Sequence, residues 1–355
     1  MSAQDVPWGL AAVFFGTLLA SIVITPLCRR LGFLDRPTAR KRHGALVPYS
    51  GGLALGVALL PWGFGPGEAY LPWPAMAGLA LLWLLGLIDD AKPLSSLLKF
   101  SAQAVAASAL VAGLRLPIEV IGQTLLPSAI PLSFAYGLAI FCAVGLINAL
   151  NMIDGIDGLA GSQVLAVLAT LGVFASFSVP EASAVAGVTG AAVLAYLLFN
   201  FPHPFRPLRI FMGDSGALLL GGLLVAITVL QAGGGGTGAM DEAAPWALLY
   251  LLSDTMAVSF ARISVGRSPF SPDRWHLHHQ LLDAGLSPRQ VIACSVGVTI
   301  LGGGVGAVLK GVGVPTTGSF LALLVVISAY ALVMAQRLRR RAGGGEPLAS
   351  SQEAG

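Results

Sequence analysis

Along most of the chain, apolar stretches of roughly twenty residues alternate with short polar loops, and that length is what an α-helix needs to cross about 30 Å of hydrocarbon. Runs such as 75–88 and 321–333 are apolar on every side, without the alternating polarity of a barrel strand. The fold class is therefore an all-α, polytopic integral membrane protein. Composition agrees: 55% of the residues are hydrophobic and 10% charged, against roughly 25% charged in a soluble domain.

The pattern predicts about eleven transmembrane helices, over 8–28, 51–65, 71–88, 100–114, 132–150, 161–179, 183–199, 217–231, 245–263, 291–309 and 317–336. Several are short or interrupted by Gly and Pro, so ten is the alternative count. The first run has no basic leader or small-residue cleavage site and reads as a retained span. Cys28, Cys142 and Cys294 lie within or at the ends of spans, without metal-ligand spacing, and read as packing residues. No internal repeat stands out, so 1–341 reads as one transmembrane domain, followed by a Gly-, Ser- and Glu-containing tail, 342–355, expected to be disordered.

Basic residues test the orientation, because cytoplasmic loops collect them. With eleven spans, one side holds eighteen of the twenty, from Arg29 and Arg30 to the Arg337–Arg341 cluster, and the other only Arg115 and Lys310. The expectation is an N-terminus outside and a C-terminus in the cytoplasm. All five histidines fall on the same side, which puts an active site in the cytoplasmic loops. A net charge of +3 calls for no nucleic acid partner.

Four motifs carry chemistry. LLGLIDDAKPLSSLLK closes an apolar span with Asp89 and Asp90 side by side, followed by Lys99. One acid would mark the interface, whereas two adjacent acids repel each other and suit a base or a cation site. INALNMIDGIDGLAGS places Asn148, Asn151, Asp154 and Asp157 three residues apart among glycines. On a regular helix such groups drift around the axis, so the glycines are expected to unwind the end and let them converge. RIFMGDSGALLLGG sets Asp214 before a new span, a weak pattern alone and also a good N-cap. RISVGRSPFSPDRWHLHHQLL gathers Arg262, Arg267 and Arg274 with His276, His278 and His279. Arginine forks and histidines suit phosphate oxygens, and with no cysteine nearby and arginines around, zinc is the poorer fit.

A fifth segment, DRPTARKRHGALVPYSGG, concentrates Arg36, Arg40, Lys41, Arg42 and His43, for which anionic-lipid anchoring and ligand contact stand level. Carboxylates for a divalent metal beside basic groups for a polyphosphate are what phosphoryl transfer requires.

In this order, from Asp35 to the histidines, these motifs resemble the polyprenyl-phosphate N-acetylhexosamine-1-phosphate transferase family. The form His276-x-His278-His279 is similar to the branch that uses UDP-N-acetylglucosamine and undecaprenyl phosphate, the first step of O-antigen, common-antigen or teichoic-acid linkage synthesis. Ala217 after GDSG and Pro93 after the paired acids depart from the usual pattern without removing a charged site residue.

The resemblance implies a Mg2+-dependent enzyme, with Mn2+ as the alternative ion, acting on a UDP-N-acetylhexosamine and undecaprenyl phosphate beside membrane lipid. It implies that Asp214 ligates the metal, with Asp154 and Asp157 in the same site, and that Asn148 and Asn151 shape the nucleotide site. His276, His278, His279, Arg267 and Arg274 would hold diphosphate or sugar, and Lys41, His43 and Lys99 would contact lipid phosphate or loops. Asp89 is the expected base or orienting group, helped by Asp90. A two-step route through an aspartyl nucleophile stays open, and a homodimer is allowed. The rivals are a muramoyl-pentapeptide transferase of related type, a secondary transporter using the acids as ion sites, and an intramembrane aspartyl protease.

Overall fold

The computed structural model describes residues 6–35, 46–62, 71–114, 131–175, 179–204, 208–234, 243–269 and 274–343. Among them it is almost entirely helical. The elements are α1 (Val6–Leu31), β1 (Leu34–Asp35), β2 (Val47–Pro48), α2 (Ser50–Trp62), α3 (Trp73–Ala91), α4 (Ser96–Gly113) and α5 (Leu132–Ile153). They continue with α6 (Leu159–Thr170), α7 (Pro180–Asn200), α8 (Gly213–Gly234), α9 (Ala243–Ala247), α10 (Leu249–Ser264), α11 (Leu277–Asp283), α12 (Pro288–Gly311) and α13 (Thr316–Gly343).

Among the described residues, eight helices (α1, α3, α4, α5, α7, α8, α12 and α13) are long and apolar enough to cross a membrane, and α2 and α6 are shorter apolar helices. Among the described residues each expected span overlaps a helix, but the one over 245–263 is broken at Leu248 into α9 and α10. The one over 161–179 leaves α6 through a π-helical turn, Leu171–Ala175. Large apolar side chains such as Phe15, Val105, Phe141, Leu301 and Val325 remain exposed on the bundle's outer surface. A bilayer removes that penalty, because lipid tails are as apolar as the side chains themselves. The molecule is a multi-pass membrane protein.

The core is built around α8, which packs against α2, α3, α4, α5, α6 and α7. Its residues Ala217–Leu220, Leu224, Ala226 and Ile227 are fully buried. Glycines allow the approach: a Cβ on Gly221 would lie 2.8 Å from Ile147 Cα, and one on Gly86 of α3 would lie 2.4 Å from Ser215 Cα. In membranes, where apolar burial between helices gains little, such close backbone packing is the main source of helix association. A second group, α10 with α13 and α9 with α12, packs on this bundle through α5 and α6.

Candidate active site

Three helix ends meet at the start of α8, and their side chains divide the work. Asp89, at the end of α3, has one carboxylate oxygen accepting from the Leu94 amide and the other from Lys99 Nζ at 2.6 Å. Lys99, in the first turn of α4, also donates to Asp214 Oδ2 at 2.8 Å. One ammonium is therefore gripped by two carboxylates from different helices, with the three side chains 22%, 11% and 28% exposed in the order Lys99, Asp89, Asp214.

Asp90 faces the other way. Its carboxylate accepts from the backbone amides of Asp214 and Ser215 at 2.8 and 3.1 Å and from Ser215 Oγ at 2.8 Å. The first amides of a helix lack intrahelical partners and carry its positive dipole end, so an acid from α3 caps α8. Asp214 sits in the first turn of α8 and is not its cap. Gly213 enters that turn at φ +67°, where a Cβ would also strike the Asp90 carboxylate at 2.6 Å.

The glycines unwind the chain after Ile153: Asp154 is the C-cap of α5 and Asp157 lies in the turn leading to α6, while Asn148 and Asn151 stay on regular helix. Asn148 exchanges hydrogen bonds with Gln103, one turn beyond Lys99 on α4. Asp157 pairs with Arg209 at 2.9 Å. Gly158 turns the chain at φ +84°, and its amide is held by buried Asn200, whose Nδ2 reaches the Ile210 carbonyl. Asn200 thus ties this turn to the segment entering α8.

The histidines approach the same turn from α11. His278 is fully buried, with both ring nitrogens unpartnered among the described residues, and a Cβ on Gly155 would lie 2.7 Å from its Nε2. Its ring packs on His276 at 5.8 Å and on His279 at 4.1 Å between centroids. Burial, then the charges of its neighbours, holds His278 well below the usual histidine range, and burial with Arg274 pushes His279 down to about 4. Both shifts favour the neutral ring at pH 7. His276 is different: its Nδ1 is engaged by Asp254 at 2.8 Å.

The remaining expected residues are peripheral or outside the described residues. Arg267 lies 5.4 Å over the Trp275 ring, and Arg274 pairs with exposed Asp283. Lys41 and His43 fall outside the described residues. The base of their loop is tied to the site, since Pro48 accepts from the Phe211 amide and Phe211 accepts from the Gly51 amide.

Comparisons with known proteins follow this geometry. Residues 73–232, which hold both the Lys99 cluster and the Asp157 turn, match the model of glycosyl transferase family 4. An undecaprenyl-phosphate alpha-N-acetylglucosaminyl 1-phosphate transferase of Pasteurella multocida is 33% identical, over 79% of this chain and 80% of the relative. The proteins of the same description from Haemophilus influenzae and Escherichia coli K12 are 30% and 28% identical, over 78% and 82% of this chain and 79% and 80% of their own lengths. The chain belongs to glycosyl transferase family 4.

Within this family 4 chain, three organising residues escaped the motif reading. Gln103 and Asn200 are polar residues in largely apolar helices, and Asp254 is the only acid in the run 245–263. The signal was available for Asp254, because an ionisable residue inside a span is costly and is retained with a partner. Among the described residues no three His, Cys, Asp or Glu side chains, Asp214, Asp154 and Asp157 included, form a common group.

Proposed function

We propose that the chain transfers N-acetylglucosamine 1-phosphate from the UDP-sugar to undecaprenyl phosphate, giving the polyprenyl diphosphate-linked sugar and UMP, as the initiating step of a cell-envelope polysaccharide. The reading draws on the activity by which the relatives are described. The observation that carries it is the convergence of Asp89 and Asp214 on one cationic atom, Lys99 Nζ. That point favours positive charge in a shell of hard oxygens. Mg2+ is typically held by one or two carboxylates, with water and substrate phosphates filling the other positions. Asp214 with Asp89 fits such an ion, and Asp157, committed to Arg209, does not complete it.

Bound there, the ion would neutralise charge on the donor diphosphate. The chain's own groups account for the rest. Asp89 receives or orients the proton of the lipid phosphate, one of whose oxygens attacks the phosphorus bearing the sugar while the bond from that phosphorus to the UMP oxygen breaks. The anomeric bond is untouched. Lys99 offsets phosphate charge as the acids change partners, and Asp90 holds the amides of Asp214 and Ser215 so that Asp214 does not drift. Neutral His278 and His279 donate to donor oxygens without competing for the metal's charge.

In this reading eleven apolar segments cross the membrane, the N-terminus is outside, and the site faces the cytoplasm, where the UDP-sugar and the lipid phosphate meet. A transporter is the poorer reading, because Asp89, Asp90 and Asp214 sit at helix ends and not at a midplane break.

The test is UMP release by purified protein given undecaprenyl phosphate, Mg2+ and a panel of UDP-sugars. Turnover with UDP-N-acetylglucosamine that stops on chelation is expected. Silence with every donor would sink the assignment.

A further inference from the structure

We propose that Asp254 is a positioning residue for the donor-binding histidines. Through His276 it fixes one ring tautomer and, by ring packing, the place of His278. The proposal rests on the reading above, in which His278 takes donor atoms.

Asp254 lies in α10 and is fully buried. Its two oxygens do separate things: Oδ2 accepts from His276 Nδ1 at 2.8 Å and Oδ1 from the Leu277 amide at 2.7 Å. On the far side of the ring, His276 Nε2 stands 3.5 Å from Nη2 of Arg262, which is 2% exposed and donates through Nη1 to the Pro269 carbonyl. A carboxylate only accepts and a guanidinium only donates. The proton therefore belongs on Nδ1, with the Nε2 lone pair turned to Arg262, and only that tautomer satisfies both neighbours. The fixed ring lies nearly parallel to His278, with 14° between the planes, and the two nitrogens of His278 are buried beside Gly155 with no partner among the described residues.

Asp254→Asn separates this role from simple packing. The amide has nearly the same shape but a single acceptor atom. Turning its NH2 to the ring moves the histidine proton to Nε2, against the donors of Arg262. Turning it the other way opposes the Leu277 amide. The Asp254→Asn, His276→Gln and double variants are purified with the full-length wild type, and kinetics are followed by UMP release. Imidazole 15N shifts are recorded in histidine-labelled protein, with His276→Gln assigning the signal.

The expected result is a wild-type His276 protonated on Nδ1, a tautomer change in Asp254→Asn, and a kcat/KM for the UDP-sugar lower by about tenfold or more. The KM for undecaprenyl phosphate should hold. In the His276→Gln background, Asp254→Asn should cost nothing further. Equal losses in both backgrounds, an unchanged kcat/KM, or a wild-type ring protonated on Nε2 would overturn the proposal. If the wild type turns over no UDP-sugar, the functional reading fails separately, and the tautomer comparison still decides whether Asp254 sets the ring.

Discussion

Asp89 and Asp90 are consecutive, yet one grips Lys99 and the other closes the first turn of α8. Successive residues at a helix end point about 100° apart, so the pair divides between chemistry and support. A second residue-scale consequence concerns the histidines. The folded His279 is held near 4, below the ordinary value of 6.5. Between those values the unfolded chain binds a proton that the folded ring refuses. This contribution is thus complete above pH 6.5 and lost as the pH falls towards 4. The melting temperature in detergent should drop over that window, and His279→Gln should flatten the slope. A slope equal to the wild type's would mean that His279 is not the group responsible. The motif residues were legible in the sequence because charge inside apolar sequence is conspicuous. Their partners were not. Asp157 with Arg209, and Asn148 with Gln103, join positions 52 and 45 residues apart.

At the scale of elements, the site depends on how closely α3 approaches α8. Gly86 is the contact: a Cβ there would meet Ser215 Cα at 2.4 Å and the Asp214 carbonyl carbon at 2.5 Å, both backbone atoms with little freedom to yield. Gly86→Ala should push the helices apart, costing about 3 kcal/mol in stability. It should lower turnover by about a hundredfold, since Asp89 and Asp214 would no longer meet at Lys99. Gly145→Ala, where nothing lies within 4 Å, is the control and should behave as wild type in both thermal melts and UMP release. Helix existence was readable from hydropathy, and each of the eleven apolar runs overlaps a helix among the described residues. Interruptions were not. The break at Leu248 and the π-helical turn at Leu171–Ala175 occur within continuous apolar sequence, where hydropathy has no contrast to report.

For the whole molecule, the proposed orientation, argued from the bias of Lys and Arg, has a direct check. A reporter that fluoresces only in the cytoplasm should be bright when fused after Gly355 and dark when fused before Met1. The reverse pattern would invert the orientation. The sequence by itself determined the class, because a chain with 55% hydrophobic residues in spans of membrane length has no comparable way to satisfy its backbone than as helices in lipid. It also singled out Asp89, Asp90, Asp214 and the histidines as candidates, since each stands out against an apolar background. Tertiary structure alone decided which of them act together. Lys99 joins Asp89 to Asp214, which is 115 residues from it in the chain, and Asp254 orders the histidines from within an apolar helix. Those pairings depend on which helix faces pack, and packing is a property of three-dimensional shape that no local run of residues encodes.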